Sequence, residues 1–193
     1  MICRCKNIIN RIKKVYNDIF YSKIKIAFIG MPKTGKSTLV GKISDESTCK
    51  RGKHSIVKSK FTLEDSKVTV YDIPGIYEMR DCWDYYYNRV DAVVFFIKTT
   101  STPEEKIEAR DELQSLLFRN VWLKKPLLVL GTGNHIKGGM TCKEMVLALN
   151  LVSLSEREIA CFSVSIEKND NIDLVKKWIV EIAHLIKKRE SGK

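Results

Sequence analysis

The sequence predicts an α/β domain built on a mainly parallel sheet. Apolar, strand-like runs alternate with helix-like runs along the chain, the pattern of strand–helix–strand units. Between the first such pair lies Gly30-Met-Pro-Lys-Thr-Gly35-Lys36-Ser37, which fits the phosphate-binding pattern G-x-x-x-x-G-K-[ST]. A third signal is Asp72-Ile-Pro-Gly75, an acid at the end of another apolar strand.

Each element has its own local warrant. Ile24–Ile29 reads as a buried strand, and Thr38–Ile43 continues a helix that opens at the glycine-rich turn. The polar stretch Ser44–Lys53 reads as a mobile loop. Ser55–Leu63 partly alternates, with Val57, Phe61 and Leu63 on one side, and Val68–Asp72 follows as a strand. Glu64–Lys67 turns between them, which predicts an antiparallel hairpin on the sheet edge. Ala92–Ile97 is a continuous apolar strand. Thr102-Pro-Glu-Glu105 is a helix start: a capping Thr, Pro at the first helical position and Glu closing a capping box. That helix is predicted to run to about Phe118. Leu127–Leu130 is a strand after Pro126, Met140–Leu149 a helix, and Ile159–Val164 the last strand. Ile172, Val175, Trp178, Ile179, Ile182 and Ile186 recur at helical spacing, so the C-terminal helix packs one face on the sheet.

Composition bounds the function. A chain of 193 residues favours one domain with a full core, and its net charge of +11 asks for an anionic partner or surface. The six cysteines show no zinc-like spacing and no signal peptide opens the chain, so reduced thiols are expected. No apolar run reaches the ~18 residues of a transmembrane helix. No Cys/His or Ser/His/Asp constellation for nucleophilic catalysis is visible. Trp122 and Trp178 read as packing residues, and His54 and His184 as solvated or locally hydrogen-bonded.

The chemistry centres on the turn at Gly30–Ser37. Its glycines let backbone amides face a phosphate, Lys36 reaches the β- and γ-phosphates, and the Ser37 hydroxyl helps hold Mg²⁺. The helix that follows aims its positive end at the same anion. Candidate phosphate ligands here are Gly30, Lys33, Thr34, Gly35, Lys36, Ser37 and Thr38. Pro32 removes one amide donor from the turn. Asp72, 36 residues after Lys36, stands where such proteins hold Mg²⁺ through water.

With these two motifs in place, the chain resembles the Arf-like branch of the small GTPases over nearly its whole length. The resemblance rests on Gly30–Ser37, Asp72–Gly75 and the segment Arg80–Ile97 with its Trp83 and neighbouring tyrosines. It continues through the acidic helix Glu104–Leu117, the strand Leu127–Leu130 and the helix carrying Trp178. It implies a G domain over 23–190, with a six-stranded sheet and five helices. It also implies a switch between GDP and GTP, with Mg²⁺ as cofactor and Gly75 presenting an amide to the γ-phosphate. Effector and exchange-factor proteins are the implied partners, at a membrane surface in vesicle transport. The expected setting is cytoplasmic and peripheral, at Golgi or ER membranes, as a monomer that takes no nucleic acid.

Three departures qualify that expectation. The base-reading N-K-x-D slot reads Thr132-Gly-Asn134-His135. A neutral His cannot accept a bidentate pair, so guanine preference is expected to weaken. Asn134, His135, Ser165 and Ile166 are the base-site candidates, the last two from the loop Ser163–Lys168. The water-positioning glutamine slot holds Ile76, which predicts slow or absent hydrolysis. In the first switch, Thr48 lies too close to Lys36, and only Ser55 offers a hydroxyl within Arg51–Ser55.

Residues 1–22 are expected to form a separate N-terminal unit. Ile8, Ile9, Ile12, Val15, Tyr16, Ile19 and Phe20 share one helical face over Asn7–Phe20, with Lys6, Arg11, Lys13 and Lys14 on the rest. This predicts a basic amphipathic helix for an anionic membrane, with packing on the G domain as the alternative. Ile2 stands where myristoylation needs glycine, which leaves Cys3 and Cys5 as lipidation candidates. Two other functions compete with the switch. One is a pseudo-GTPase module or constitutive subunit without turnover, like the signal-recognition-particle receptor β subunit. The other is a small-molecule kinase, which would need a lid with clustered arginines; Arg110 and Arg119 stand apart.

Overall fold

The computed structural model describes residues 20–44, 55–154 and 156–192. The expected N-terminal helix (apart from Phe20), Cys3, Cys5, Thr48, His54 and nearly all of the loop after Ser44 lie outside them. Strands are β1 (Ser22–Gly30), β2 (Val57–Leu63), β3 (Ser66–Asp72), β4 (Ala92–Lys98), β5 (Leu127–Thr132) and β6 (Ile159–Val164). Helices are α1 (Lys36–Ser44), α2 (Cys82–Arg89), α3 (Pro103–Arg119), α4 (Cys142–Ala148) and α5 (Ile172–Ser191). The sheet order is β2-β3-β1-β4-β5-β6. β2 pairs antiparallel with β3 as the predicted edge hairpin, and every other pairing is parallel.

Period-two alternation divides the core between the two faces of the sheet. Ile24, Ile26 and Phe28 of β1, with Val94 and Phe96 of β4, face α1 and α5. Ala27 and Ile29, with Val93, Phe95 and Ile97, face α2, α3 and α4. The central strands are apolar on both faces because both are covered. β2, at the edge, alternates between half-buried and exposed residues.

The helix starts follow capping chemistry. The Thr102 hydroxyl accepts from the Glu105 amide at 3.3 Å, and the Glu105 carboxylate accepts from the Thr102 amide at 3.0 Å. The same box opens α4 between Thr141 and Glu144, at 3.3 and 2.7 Å. It starts that helix at Cys142 rather than at the expected Met140. Trp178 lies buried in the α5 stripe, but Trp122 corrects the packing expectation: it is 90% exposed. It sits in a short 3-10 turn, Val121–Leu123, that points away from both core layers. His184 hydrogen-bonds to Asp65, 119 residues away, at 2.7 Å. That bond holds the Asp65 carboxyl below its ordinary pKa.

Candidate functional site

In a parallel sheet the carboxyl ends of the strands gather on one edge, and ligands bind there. β1 ends at Gly30, β3 at Asp72, β4 at Lys98, β5 at Thr132 and β6 at Val164. Register fixes their relative heights: Phe28 pairs with Asp72, Gly30 with Phe96, and Thr132 with Val164.

The turn from β1 to α1 is a cradle closed from below. The Met31 amide donates to the Phe96 carbonyl at 3.1 Å, which pins the start of the turn to β4. Gly30 and Gly35 hold φ values of +122° and +82°, open to glycine at little cost. Lys33 also adopts a positive φ, +57°. Lys36 is 6% exposed, and its ammonium donates to the carbonyls of Gly30 at 3.0 Å and Met31 at 2.7 Å. A third bond reaches the Thr34 hydroxyl at 3.3 Å, which itself donates to the Met31 carbonyl at 2.8 Å. The charge is thereby held inside the turn before any ligand arrives, so ordering it on binding costs little side-chain entropy.

Asp72 is buried at the end of β3, 2% exposed, and the next amide, Ile73, donates to the Phe28 carbonyl at 3.0 Å. The chain then presses Gly75 onto the back of the cradle. A Cβ there would lie 2.0 Å from the Gly30 carbonyl oxygen and 2.8 Å from the Pro32 nitrogen. Two side chains brace this segment. Trp83 Nε1 donates to the Pro74 carbonyl at 3.5 Å. Arg80, 8% exposed, donates Nε to the Gly75 carbonyl at 3.2 Å and reaches Glu112 at 2.8 Å and Glu108 at 2.6 Å on α3. Burial pulls the guanidinium pKa down, and the bonds to Glu112 and Glu108 outweigh that and leave it raised. Ile76, half-buried, has only hydrocarbon beyond its backbone.

Beside the cradle opens a cavity of about 410 Å³. Lys33, Thr34 and Gly35 line it from the turn, Thr38 and Lys42 from α1, and Lys98 and Thr100 from the end of β4. Thr132 lines it from the end of β5, Gly133, His135 and Ile136 from the β5–α4 loop, and Ile166 and Glu167 from the β6–α5 loop. Three lysines against one carboxylate make it electropositive. His135 Nδ1 lies 2.7 Å from the Ser165 hydroxyl, and its Nε2 lies 3.3 Å from Glu167 Oε2. Asn134 turns its amide nitrogen to Asp170 at 2.5 Å and to the Ser163 carbonyl at 3.4 Å, tying the two loops together. Lys42 ties α1 to the same loop through Asn169 at 2.6 Å.

The structure therefore brings Lys33, Thr34, Gly35, Thr38, His135 and Ile166 to one cavity, with Gly30, Lys36 and Ser37 in the adjoining turn and Gly75 behind it. Neither Asn134 nor Ser165 is on the cavity wall: Ser165 stands behind His135, and Asn134 is turned to Asp170 and the Ser163 carbonyl. Sequence reading missed Lys42, Lys98 and Arg80. Lys98 had a readable signal, a charge directly after the apolar run of β4. Arg80 had none, because its partners lie 28 and 32 residues away.

The donor set fits a polyphosphate with a hard divalent cation. The turn is a cradle that a Cβ at Gly30 or Gly75 would disrupt, and Ser37 and Asp72 supply oxygen ligands of the kind Mg²⁺ takes alongside phosphate oxygens. Among the described residues no helix is long and apolar enough to cross a membrane.

Comparison with known proteins agrees with this geometry. The chain is 26% identical over 164 residues to ADP-ribosylation factor-like protein 8b of Arabidopsis thaliana, a match covering 84% of this chain and 89% of that protein. Its fold is similar to that of the Arl6 BBS3 small GTPase from Trypanosoma brucei, solved with the nucleotide analogue GppNp. There the TM-score is 0.75 at 20% identity, covering 84% of this chain and 98% of that one. The model of the ADP-ribosylation factor family matches residues 10–183, and with the cradle, the acid of β3 and the sheet order all in place, the chain belongs to that family.

Proposed function

We propose that this Arf-family protein binds GTP and GDP with Mg²⁺ at the cradle and its adjoining cavity. It acts as a nucleotide-dependent switch at membranes in vesicle transport, with weakened intrinsic hydrolysis. The observation that carries the reading is Lys36: a buried ammonium held by the carbonyls of its own turn, which adjoins an electropositive cavity. In this reading the amides of the turn and Lys36 hold the phosphates, and Gly75 offers its amide to the γ-phosphate. Thr38 closes the turn from the first turn of α1. Ser37 and Asp72 hold the cation, Asp72 through water; the cation would neutralise charge on the β- and γ-phosphates. The base lies against His135 and Ile166, backed by Asn134 and Ser165. Family membership supports effector and exchange-factor partners and a peripheral place at Golgi or ER membranes, through the basic N-terminal segment.

Turnover depends on a group that orients the attacking water. Ile76 has no polar atom to do so, and slow hydrolysis follows. Calorimetric titration of nucleotide-free protein with GTP, GDP and ATP tests the binding. Guanine-selective binding that Lys36→Ala abolishes is expected, and absence of GTP and GDP binding in the wild type refutes it. Single-turnover hydrolysis tests the rest: Ile76→Gln should speed the reaction. A wild-type rate already as high as that variant's would refute the weakening. Tight binding without turnover in either protein would favour the second reading, a constitutive binding module.

A further inference from the structure

The geometry points to Glu167 as the residue that reads guanine in this chain, in place of the acid missing at His135. This rests on the guanine-nucleotide reading above and deepens it. Guanine presents two adjacent donors, N1–H and the N2 amino group, and a carboxylate accepts both at once. Adenine presents a donor beside an acceptor and gains nothing from that group.

The cavity limits which side chain can play this part. Its lysines only donate. Thr132 Oγ1 is turned to the Ile97 carbonyl at 3.4 Å. His135 has both ring nitrogens engaged, Nδ1 with Ser165 and Nε2 with Glu167. Glu167 is the one carboxylate among the described residues that line the cavity. Its contact with His135 uses Oε2, and a carboxylate has capacity for about four hydrogen bonds in all.

His135 acts here as a positioning residue. Ser165 fixes the ring from behind, and the ring steers an otherwise exposed side chain, 82% accessible, toward the cavity mouth. Ser165 is itself immobilised: it is fully buried, its amide pairs with Asp170, and its hydroxyl accepts from the Lys168 amide at 3.1 Å. The β6–α5 loop thus supplies the acid, and the residue in the family's acid slot aims it.

The experiment is a matched set of affinities for GTP, ITP, XTP and ATP in wild type, Glu167→Gln, Glu167→Ala and His135→Ala, each with Mg²⁺. ITP lacks the N2 amino group, and XTP carries an oxygen there. The expected wild type prefers GTP over ATP and ITP. Glu167→Gln and Glu167→Ala should each lose about 10- to 100-fold in GTP affinity, the weight of a charge-assisted contact, with ITP less affected. Glu167→Gln should gain in XTP affinity, because an amide can donate to the xanthine oxygen. His135→Ala should narrow the GTP-to-ITP ratio, whereas a merely structural role would weaken GTP and ITP alike and leave that ratio unchanged. Glu167 is exposed, so both of its variants should keep the wild-type melting temperature. Unchanged GTP-to-ITP and GTP-to-ATP ratios in both Glu167 variants would overturn the assignment and leave nucleotide binding standing. A wild type that binds none of the four would overturn both.

Discussion

Arg80 supplies the sharpest stability test, because its two sides differ in exposure. The guanidinium is 8% exposed, whereas Glu108 and Glu112 are 47% and 27% exposed at their side chains. Breaking a buried pair is expensive chiefly through the buried charge left behind. Arg80→Met removes the buried charge and leaves two carboxylates that water can reach. It also leaves them as an uncompensated i,i+4 like-charge pair, worth only ~0.2–0.5 kcal/mol. With the lost charge-assisted bonds discounted for partial exposure, the expected cost is about 1–2 kcal/mol. Glu108→Ala with Glu112→Ala does the reverse. The guanidinium keeps the Gly75 carbonyl at 3.2 Å and the Tyr77 ring at 5.7 Å, and both anions go. That variant should cost about 2–4 kcal/mol, even though alanine favours the helix. Urea denaturation with a common slope reads the difference as a shift in midpoint. An Arg80→Met variant as destabilised as the double alanine variant, or more so, would refute the reasoning.

Three further expectations follow from other contacts. Gly75→Ala places a Cβ 2.0 Å from a backbone oxygen that cannot turn aside, so it should cost about 1–3 kcal/mol in urea denaturation; a wild-type midpoint would show that the loop moves freely off the cradle. Thr102→Ala and Thr141→Ala each remove a capping box and should each cost about 1 kcal/mol by thermal unfolding; no loss would mean the starts of α3 and α4 are set by packing alone. Burial pushes the Cys161 thiol up to about 12. An unfolded thiol ionises near 8.5, so this group's contribution to stability is complete below that value and is lost as pH rises toward the folded one. At pH 8, iodoacetamide should label Cys161 at least about a hundredfold more slowly in the native protein than in urea, read by peptide mass spectrometry; equal rates would refute it.

Much of the fold was legible because its signals are local. The buried strands β1, β4 and β5 read as apolar runs, the Thr102 box announced α3, and the spacing of Ile172 to Ile186 announced α5. Trp178 was placed correctly because it falls on that stripe. Trp122 was not, because a three-residue 3-10 turn has no period to read, and the residue's bulk argued the wrong way. The second capping box, Thr141 to Glu144, was as readable as the first and would have set the start of α4. At the site, the contiguous residues of the cradle could be named from one motif. The Arg80 clamp and the His135–Glu167 contact could not, since each joins residues from separate loops or helices that only the closed sheet brings together.

The cradle glycines carry a consequence for tracing descent. A Cβ at Gly30 would lie 2.3 Å from the Phe96 carbonyl oxygen, and one at Gly75 would strike the Gly30 carbonyl, with no ligand involved in either clash. Selection for folding alone would therefore keep both glycines in a descendant that had abandoned its ligand. Their persistence in a divergent sequence dates the scaffold, not the activity. Ser37 is the more telling position: it is only half-buried, and a lineage that stopped holding a cation would have no chemical reason to keep that hydroxyl.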